Sequence, residues 1–225
     1  IPKKSIDVSA KKILSHILTL MFAAGIFILG ARGGIQLKPI KPINAGELSG
    51  SQNTALILNT PFCILHSINE KPLKTYNYFD FKKLKNIYSP FHLLSDQKIK
   101  KQNIVILIME SYSKEFIGFY NNGVGYTPFL DSLMQHSLIF TNAYANGLKS
   151  IEALPAITAS IPALMNNPFI TSNYAQNNFE SIASLLNQEG YHTSFYHGGA
   201  RGTMGFYSFS KKAGFSEYFG LEEYN

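Results

Sequence analysis

The chain has 225 residues, of which 45% are hydrophobic and 15% charged, and its formal net charge is +6 at neutral pH. A single cysteine, Cys63, excludes a framework of intrachain disulfides, and we expect it to be a small buried hydrophobe. The lysines are scattered and do not alternate with an aromatic reading face, so no nucleic-acid partner is expected, and the apolar composition favours a membrane portion.

An apolar stretch near the N-terminus predicts a membrane-spanning helix. Residues 13–31 contain no Lys, Arg, Asp or Glu and have about the length needed to cross a bilayer. The alternative, a secretory signal peptide, is disfavoured because no small-residue cleavage site follows. The flanking basic residues are Lys3, Lys4, Lys11 and Lys12 before the span and Arg32, Lys38 and Lys41 after it. This modest bias predicts that the chain after the span faces the extracytoplasmic side of the cell membrane.

The next part of the chain is predicted to join the span to a folded domain. Residues 33–50, punctuated by Pro39, Pro42 and Gly46, have the composition of a connector. Residues 52–67 predict an amphipathic helix, which either runs along the membrane or packs on the domain, with a break or kink at Pro61. A polar, lysine-rich link then continues through Lys101.

The first candidate site residue follows an apolar run. Residues 104–108 (IVILI) predict a central parallel strand that is covered on both faces. Glu110 comes just after its carboxyl end, the edge of an open α/β sheet where ligands bind. We therefore consider Glu110 a candidate metal ligand or catalytic group, the alternative being that it simply begins a loop.

The second candidate follows another strand-like run. Residues 138–145 (LIFTNAYA) predict a strand, and Asn146-Gly147 predicts a turn before Lys149, Ser150 and a helix over residues 151–160. Serine is a favoured N-cap, and a helix N-terminus suits a bound phosphate or sulfate and a hydroxyl that loses its proton. Ser150 is therefore a candidate nucleophile, or else only a helix cap. Pro155 conflicts with this helix and is expected to shorten it.

Further elements predict a doubly wound α/β sheet. Helices are predicted over residues 129–135, 179–188 and 203–212, and a strand over residues 191–197. His197 ends that strand beside a glycine-rich loop, so it is either a substrate contact or a hydrogen-bonded structural residue. Arg201 on the same loop is a candidate bidentate clamp for a phosphate or sulfate.

Several strings occur together, in order, that resemble one family. They are NIVILIMES from residue 103, TPFLDSL from residue 127, NAYANGLKSIEALPAITASIP from residue 142 and FYHGGARGTMGF from residue 195. In this order and spacing they resemble the lipoteichoic acid synthase-like sulfatases, which are membrane-anchored members of the alkaline phosphatase superfamily. The resemblance extends from about residue 32 to the C-terminus.

The resemblance implies a role for each candidate residue. It implies that Glu110 binds a divalent metal, manganese, magnesium or zinc, and that Ser150, with Lys149 beside it, is the metal-bound nucleophile. It supports substrate binding by the loop that carries His197 and Arg201. In the family a later aspartate and histidine complete the metal shell, and this chain ends before them. Together with a first residue that is Ile1 and not methionine, this leads us to expect a fragment of a longer enzyme.

The predicted function is a membrane-anchored, metal-dependent sulfatase-family enzyme that acts as a phosphoglycerol transferase or as a sulfate or phosphate ester hydrolase. The predicted domains are residues 1–32 for the span, 33–102 for the connector with its helix, and 103–225 for the N-terminal part of the catalytic domain. Its partners would be the membrane and a lipid headgroup or ester substrate. The alternative is a noncatalytic, membrane-tethered domain that binds a glycan or lipid headgroup.

A P-loop is excluded because Leu148 separates Gly147 from Lys149, and no HExxH or GxSxG string occurs.

Overall fold

The computed structural model describes residues 9–35, 39–45, 54–69, 72–89 and 101–224. The first element is helix α1, Ala10–Arg32, whose most apolar window has a mean hydropathy of 2.2. None of that window is buried, which distinguishes α1 from the core helix of a soluble protein. Its length and composition are sufficient to cross a membrane. The helix ends at Gly33, whose φ of 83° is the left-handed conformation that glycine adopts without strain.

Three short helices follow in the connecting part of the chain: α2 (Thr54–Ile57), α3 (Thr60–Ser67) and α4 (Phe81–Ile87). The single helix predicted over residues 52–67 is thus two helices. The break lies where Asn59 caps α3 by accepting the Phe62 N–H at 3.0 Å, with Pro61 in the first turn. Cys63 is half-buried in α3. Lys3, Lys4 and Lys38, residues 46–53 and residues 90–100 of the lysine-rich link lie outside the described residues.

The C-terminal part contains the remaining elements: α5 (Pro128–Met134), α6 (Ser150–Ala159), α7 (Ile182–Gln188), β1 (Ser194–Tyr196), α8 (Phe206–Lys212) and β2 (Glu217–Phe219). β1 and β2 pair in parallel, with Phe195 opposite Tyr218, and α8 lies in the connection between them. This is a βαβ unit, the repeating element of α/β sheets.

The hydrophobic core lies around α8. Its most deeply buried large side chains are Phe209 and Ile170, and Phe209 stacks on Phe179 at 5.6 Å between ring centroids. Leu154 of α6 belongs to the same cluster. So does Ile43, which lies in a short 3₁₀ turn of the predicted connector and is only 5% exposed. The connector therefore contributes to the core of the C-terminal part.

Two predicted strands are absent from the described structure. Residues 101–109 form no regular element, and Val105 and Leu107 are 89% and 77% exposed. Residues 138–145 likewise form no strand. Parallel strands are held by hydrogen bonds to neighbours that are distant in sequence. In the part of the chain that the structure describes, only β1 and β2 have such a neighbour.

Two helices differ in detail from their prediction. α6 continues through Pro155 for ten residues, and it ends at Ser160, whose φ is 53°. Pro155 removes one N–H donor from the helix, but the helix continues past it, so the predicted shortening is wrong. At the helix end the Pro155 carbonyl accepts the Ile161 N–H at 3.2 Å. The helix predicted over residues 179–188 begins later, at Ile182, because Ser181 forms a reciprocal capping box with Ser184.

Candidate active site

The turn before α6 fixes the position of Ser150. Ser150 was predicted to be the N-cap. In the structure the N-cap is Lys149, in an extended conformation, and Ser150 is the first residue of the helix. The Glu152 carboxylate accepts the Leu148 N–H at 2.9 Å, which ties the turn to the first turn of the helix. Gly147 is needed here because a Cβ at this position would lie 2.7 Å from the Cβ of Glu152. Ser150 is therefore held at a helix N-terminus by residues on both sides.

The Ser150 hydroxyl is half-buried and faces a sulfur atom. Its Oγ lies 3.7 Å from Sδ of Met204, and a thioether is a weak acceptor. Met204 has a φ of 53°, which is uncommon for a residue with a side chain and occurs in the turn before α8. Among the described residues the hydroxyl has this one weak partner, so a stronger acceptor or an electrophile can replace it without breaking a strong hydrogen bond.

The strand predicted over residues 191–197 is shorter, and His197 directly follows β1 where it was expected to be the last strand residue. Its backbone N–H donates to the Phe219 carbonyl at 2.8 Å, and its imidazole contacts the Phe206 ring edge-on at 5.0 Å between centroids. The Tyr218 hydroxyl lies 3.5 Å from Nδ1, and burial raises the pKa of this tyrosine, so it stays protonated. Gly199 is required beside the imidazole, since a Cβ there would lie 2.6 Å from the ring. The ring is thus oriented by packing at the carboxyl end of the strand.

Arg201 is engaged by acidic residues that follow β2. Its guanidinium forms an ion pair with Glu223 and lies over the Tyr207 ring at 5.2 Å, while its backbone N–H donates to Glu222. The hydrogen bond to Glu223 raises the pKa of Arg201. Desolvation raises the pKa of Glu223, but its hydrogen bonds to Arg201 and to the Gly220 N–H outweigh this and hold that pKa below its ordinary value. An anion that takes the same Nε and Nη2 donors of Arg201 would therefore have to displace this carboxylate.

Glu110 is not joined to the other candidates by any contact in the described structure. Its side chain is exposed, and it follows the run that forms no strand. A divalent metal in a hydrolytic site takes at least three protein ligands. Among the described residues no group of three or more His, Cys, Asp or Glu side chains comes together, and Ser150 faces a thioether. These residues do not by themselves form a metal shell.

Three residues of this region were missed by the sequence reasoning: Met204, Tyr218 and Glu223. Met204 contacts Ser150, Tyr218 lies beside His197, and Glu223 holds Arg201. Glu223 could have been found, because residues 217–220 (EYFG) form a short aromatic run that ends in a glycine and acidic residues follow it. No sequence signal distinguishes Met204 from a core methionine.

The chain was compared with known families and solved structures. A family model described as Sulfatase matches residues 102–225. One similar structure is a protein in the alkaline phosphatase superfamily from Vibrio parahaemolyticus, with 32% identity, a TM-score of 0.45, and coverage of 49% of this chain and 27% of that one. Another is the lipoteichoic acid synthase LtaP from Listeria monocytogenes, with 21% identity, a TM-score of 0.41, and coverage of 46% and 26%.

The chain therefore spans about a quarter of the length of these two solved structures. The family match covers more than half of the chain and contains every candidate site residue. It confirms the resemblance at the level of the family and the α/β fold class predicted with it, of which the described structure contains one parallel β1–α8–β2 unit. The chain belongs to the sulfatase family.

Proposed function

We propose that this chain provides part of an enzyme that cleaves or transfers phosphate or sulfate esters, with the Ser150 hydroxyl as nucleophile. The observation that carries the proposal is the position of Ser150. Within the segment that matches the sulfatase family, Ser150 is half-buried at the first position of α6, and its one hydroxyl partner in the described part of the chain is a thioether. Sulfatases and phosphotransferases form one enzyme superfamily.

The geometry supports a nucleophilic role in a specific way. The N–H groups in the first turn of a helix lack intrahelical acceptors, and the helix end carries about half a positive charge. Both features favour an anionic ester group beside Ser150 and stabilise negative charge on its oxygen. In the proposed reaction Oγ loses its proton and bonds to phosphorus or sulfur, and the bond to the ester oxygen breaks as the leaving alcohol takes up a proton. Water or an acceptor alcohol then releases the group from Ser150.

Lys149, His197 and Arg201 are proposed substrate contacts. Lys149 is exposed next to the nucleophile, and His197 lies at the carboxyl end of β1, where ligands bind in α/β sheets. The guanidinium of Arg201 is a planar fork of N–H donors that matches a phosphate or sulfate. In the structure the Glu223 carboxylate forms an ion pair with it. We propose that the substrate anion exchanges with Glu223, so that the carboxylate holds the guanidinium in place until substrate binds.

A divalent metal, manganese, magnesium or zinc, is part of the proposal at the level of the superfamily, whose members are metal-dependent. Glu110 and Ser150 are the proposed contribution of this chain, and the remaining ligands are proposed to lie outside it. A metal bound there would lower the pKa of the serine hydroxyl. Because the described residues form no shell, the steps above rest on Ser150 and the helix end alone.

We also propose that α1 anchors the enzyme in the cell membrane with residues 103–225 on the extracytoplasmic side and residues 33–102 as the connecting domain. The support is the length and hydropathy of α1 and its exposed surface. A lipid headgroup is then an accessible substrate, because the ester bond and the site would lie at the same surface.

The test of the nucleophile is Ser150→Ala in the full-length protein, assayed with phosphatidylglycerol and with aryl phosphates and sulfates. We expect turnover to fall by at least about 10³-fold, because the attacking oxygen is removed. Ser150→Thr keeps a hydroxyl and should retain measurable turnover. Ser137→Ala, which changes an exposed serine at the end of α5, is the matched control and should have wild-type kinetics.

Wild-type turnover in a folded Ser150→Ala protein would refute the proposed nucleophile. If the wild-type protein bound phosphatidylglycerol vesicles but turned over none of these esters, the noncatalytic binding domain would replace the enzyme as the favoured function. Glu110→Gln should raise the Mn²⁺ concentration needed for half-maximal activity, and an unchanged requirement would remove Glu110 from the proposed site.

A further inference from the structure

The chain between α3 and residue 90 exposes a surface that the proposed catalytic function does not use. We call residues 72–88 the aromatic–lysine segment. It contains the exposed rings of Tyr76, Tyr78, Phe79 and Phe81, of which Tyr78 is 76% and Phe81 74% exposed. Isolated exposed apolar residues are normal in soluble proteins, whereas a run of several large ones marks an interaction surface.

The cations of this segment are arranged around its rings. Tyr76 and Tyr78 stack at 5.4 Å between centroids, and the Lys83 ammonium lies 5.4 Å from the centre of the Phe79 ring. The segment has four lysines, Lys74, Lys82, Lys83 and Lys85, against one acid, Asp80.

The short helix α4 places its apolar side chains and its lysines on different sides. Phe81, Leu84 and Ile87 recur every three residues and therefore lie on one side of the helix. Lysines whose stems cover apolar surface while their heads remain in water, combined with Tyr and Phe, are the side chains found at membrane–water interfaces.

Backbone hydrogen bonds connect the end of α1 and the start of this segment to the same part of the structure. The Ile40 N–H donates to the Arg32 carbonyl at 3.1 Å, so the chain returns to the last turn of α1. Ile43, three residues later, is already buried in the core of the C-terminal part, and three extended residues span only about 10 Å. The Leu73 N–H in turn donates to the Tyr174 hydroxyl at 3.1 Å, which ties the start of the aromatic–lysine segment to the same part.

We propose that the aromatic–lysine segment binds the surface of an anionic lipid bilayer, with its rings at headgroup depth and its lysines against lipid phosphates. The proposal rests on the proposed role of α1 as the membrane anchor. The segment would then be a second contact with the membrane, in addition to α1. Two contacts fix the orientation of the Ser150 region toward lipid substrates, whereas a single span would leave that region free to rotate.

The sequence offers a clean measurement because it contains no tryptophan. We would place one indole per protein in the full chain, reconstituted in nanodiscs with and without phosphatidylglycerol. Phe79→Trp reports on the segment and keeps a ring beneath Lys83. Phe22→Trp reports on α1, and Tyr144→Trp, at a position that is 90% exposed, is the control in the C-terminal part.

With phosphatidylglycerol, we expect the Phe79→Trp indole to have an acrylamide quenching constant about threefold lower than the Tyr144→Trp indole and to be quenched by lipids that carry a spin label near the headgroup. The protection should decrease when Lys82, Lys83 and Lys85 are replaced by glutamine, and at high salt. Phe22→Trp should be quenched by lipids labelled deep in the acyl chain.

Three results would overturn the proposal. In the first, Phe79→Trp is as accessible to acrylamide as Tyr144→Trp although Phe22→Trp is quenched by lipid. In the second, Phe79→Trp is protected but no labelled lipid quenches it, which would assign the surface to a second copy of the chain or another protein. In the third, Phe22→Trp is not quenched by lipid, which removes the anchor and the second contact together. None of these results depends on catalysis, so they are independent of the Ser150 experiment.

Discussion

Two stretches that the sequence predicts to contain a strand differ in how far the structure covers them. Residues 104–108 are five consecutive aliphatic residues, yet they are exposed and form no strand. Residues 194–219 form a closed β1–α8–β2 unit in which Phe209 is 1% exposed. The difference is where the partner lies. β1 pairs with β2, which follows within about 25 residues, whereas no described segment pairs with residues 104–108. Hydrophobic composition indicates which residues favour burial, and the order of the strands along the chain decides whether a neighbouring strand covers them.

The largest expected effect contrasts the two stretches directly. Phe209→Ala should lower the free energy of unfolding by about 3–5 kcal/mol, because it leaves a cavity where the ring stacks on Phe179. Val105→Ala should change it by no more than about 0.5 kcal/mol, because Val105 is 89% exposed. Urea denaturation followed by circular dichroism measures both. Similar losses in the two variants would mean that residues 104–108 are covered in the folded protein, and the contrast would fail.

A smaller effect is expected at the start of α7. Ser181 is 2% exposed, accepts the Ser184 N–H at 3.1 Å and donates to the Ala213 carbonyl, so it links α7 to the end of α8. Ser181→Ala should lower the free energy of unfolding by about 1–2 kcal/mol, since it removes a cap and leaves a buried carbonyl without its donor. The exposed Ser137→Ala serves as the control. Equal stability of the two variants would show that the cap has no effect.

The next effect concerns pH. Burial lowers the pKa of Lys212, which is 4% exposed and donates from Nζ to the Gln176 carbonyl at 2.8 Å. The unfolded chain then binds this proton more tightly than the folded protein does. The contribution of Lys212 to the free energy of unfolding should therefore increase as pH rises from the lowered pKa toward the ordinary value of 10.5. Lys212→Met should abolish this increase, measured by urea denaturation at several alkaline pH values against wild type. An identical pH profile in the two proteins would contradict it.

The smallest expected effect lies at the ion pair of Glu223 with Arg201. Because the pKa of Glu223 is held below its ordinary value, the pair contributes stability above that ordinary value and loses it as pH falls through the pKa of the folded state. Glu223→Gln should remove only this acid-sensitive component, because the pair is solvent-accessible. Melting temperatures of the variant and wild type, compared from about pH 6 to about pH 3, measure it. A larger loss on acidification in the variant would reverse the assignment.

Local chemistry made part of this fold predictable. Thr127-Pro128 marks the start of α5, Gly190 and Gly214 follow α7 and α8, and both glycines have positive φ values. The strand beside His197 was also predicted, although it is shorter than the predicted range of 191–197 and ends one residue before His197. These features depend on neighbours within a few residues, which the sequence displays directly.

The remaining features depend on contacts that the sequence does not display. The strand predicted at 104–108 required neighbours that are not adjacent in sequence, and the start of α7 depends on Ser181, which donates to the Ala213 carbonyl 32 residues later. The ion pair of Arg201 with Glu223 joins residues that are 22 positions apart, and the aromatic run before Glu223 is the one sequence signal for it. The joint placement of Glu110 and Ser150 stays a prediction.

The burial of Ile43 determines where a truncated form of this protein can begin. A soluble fragment that begins at residue 103, the boundary suggested by the sequence pattern, would keep every candidate site residue. It would also lack the side chain that shares a cluster with Leu154 and Phe206. The hole would open beside α8, which contacts the turn that contains Ile43. A fragment intended for crystallisation or assay therefore needs to begin between the end of α1 and Pro42.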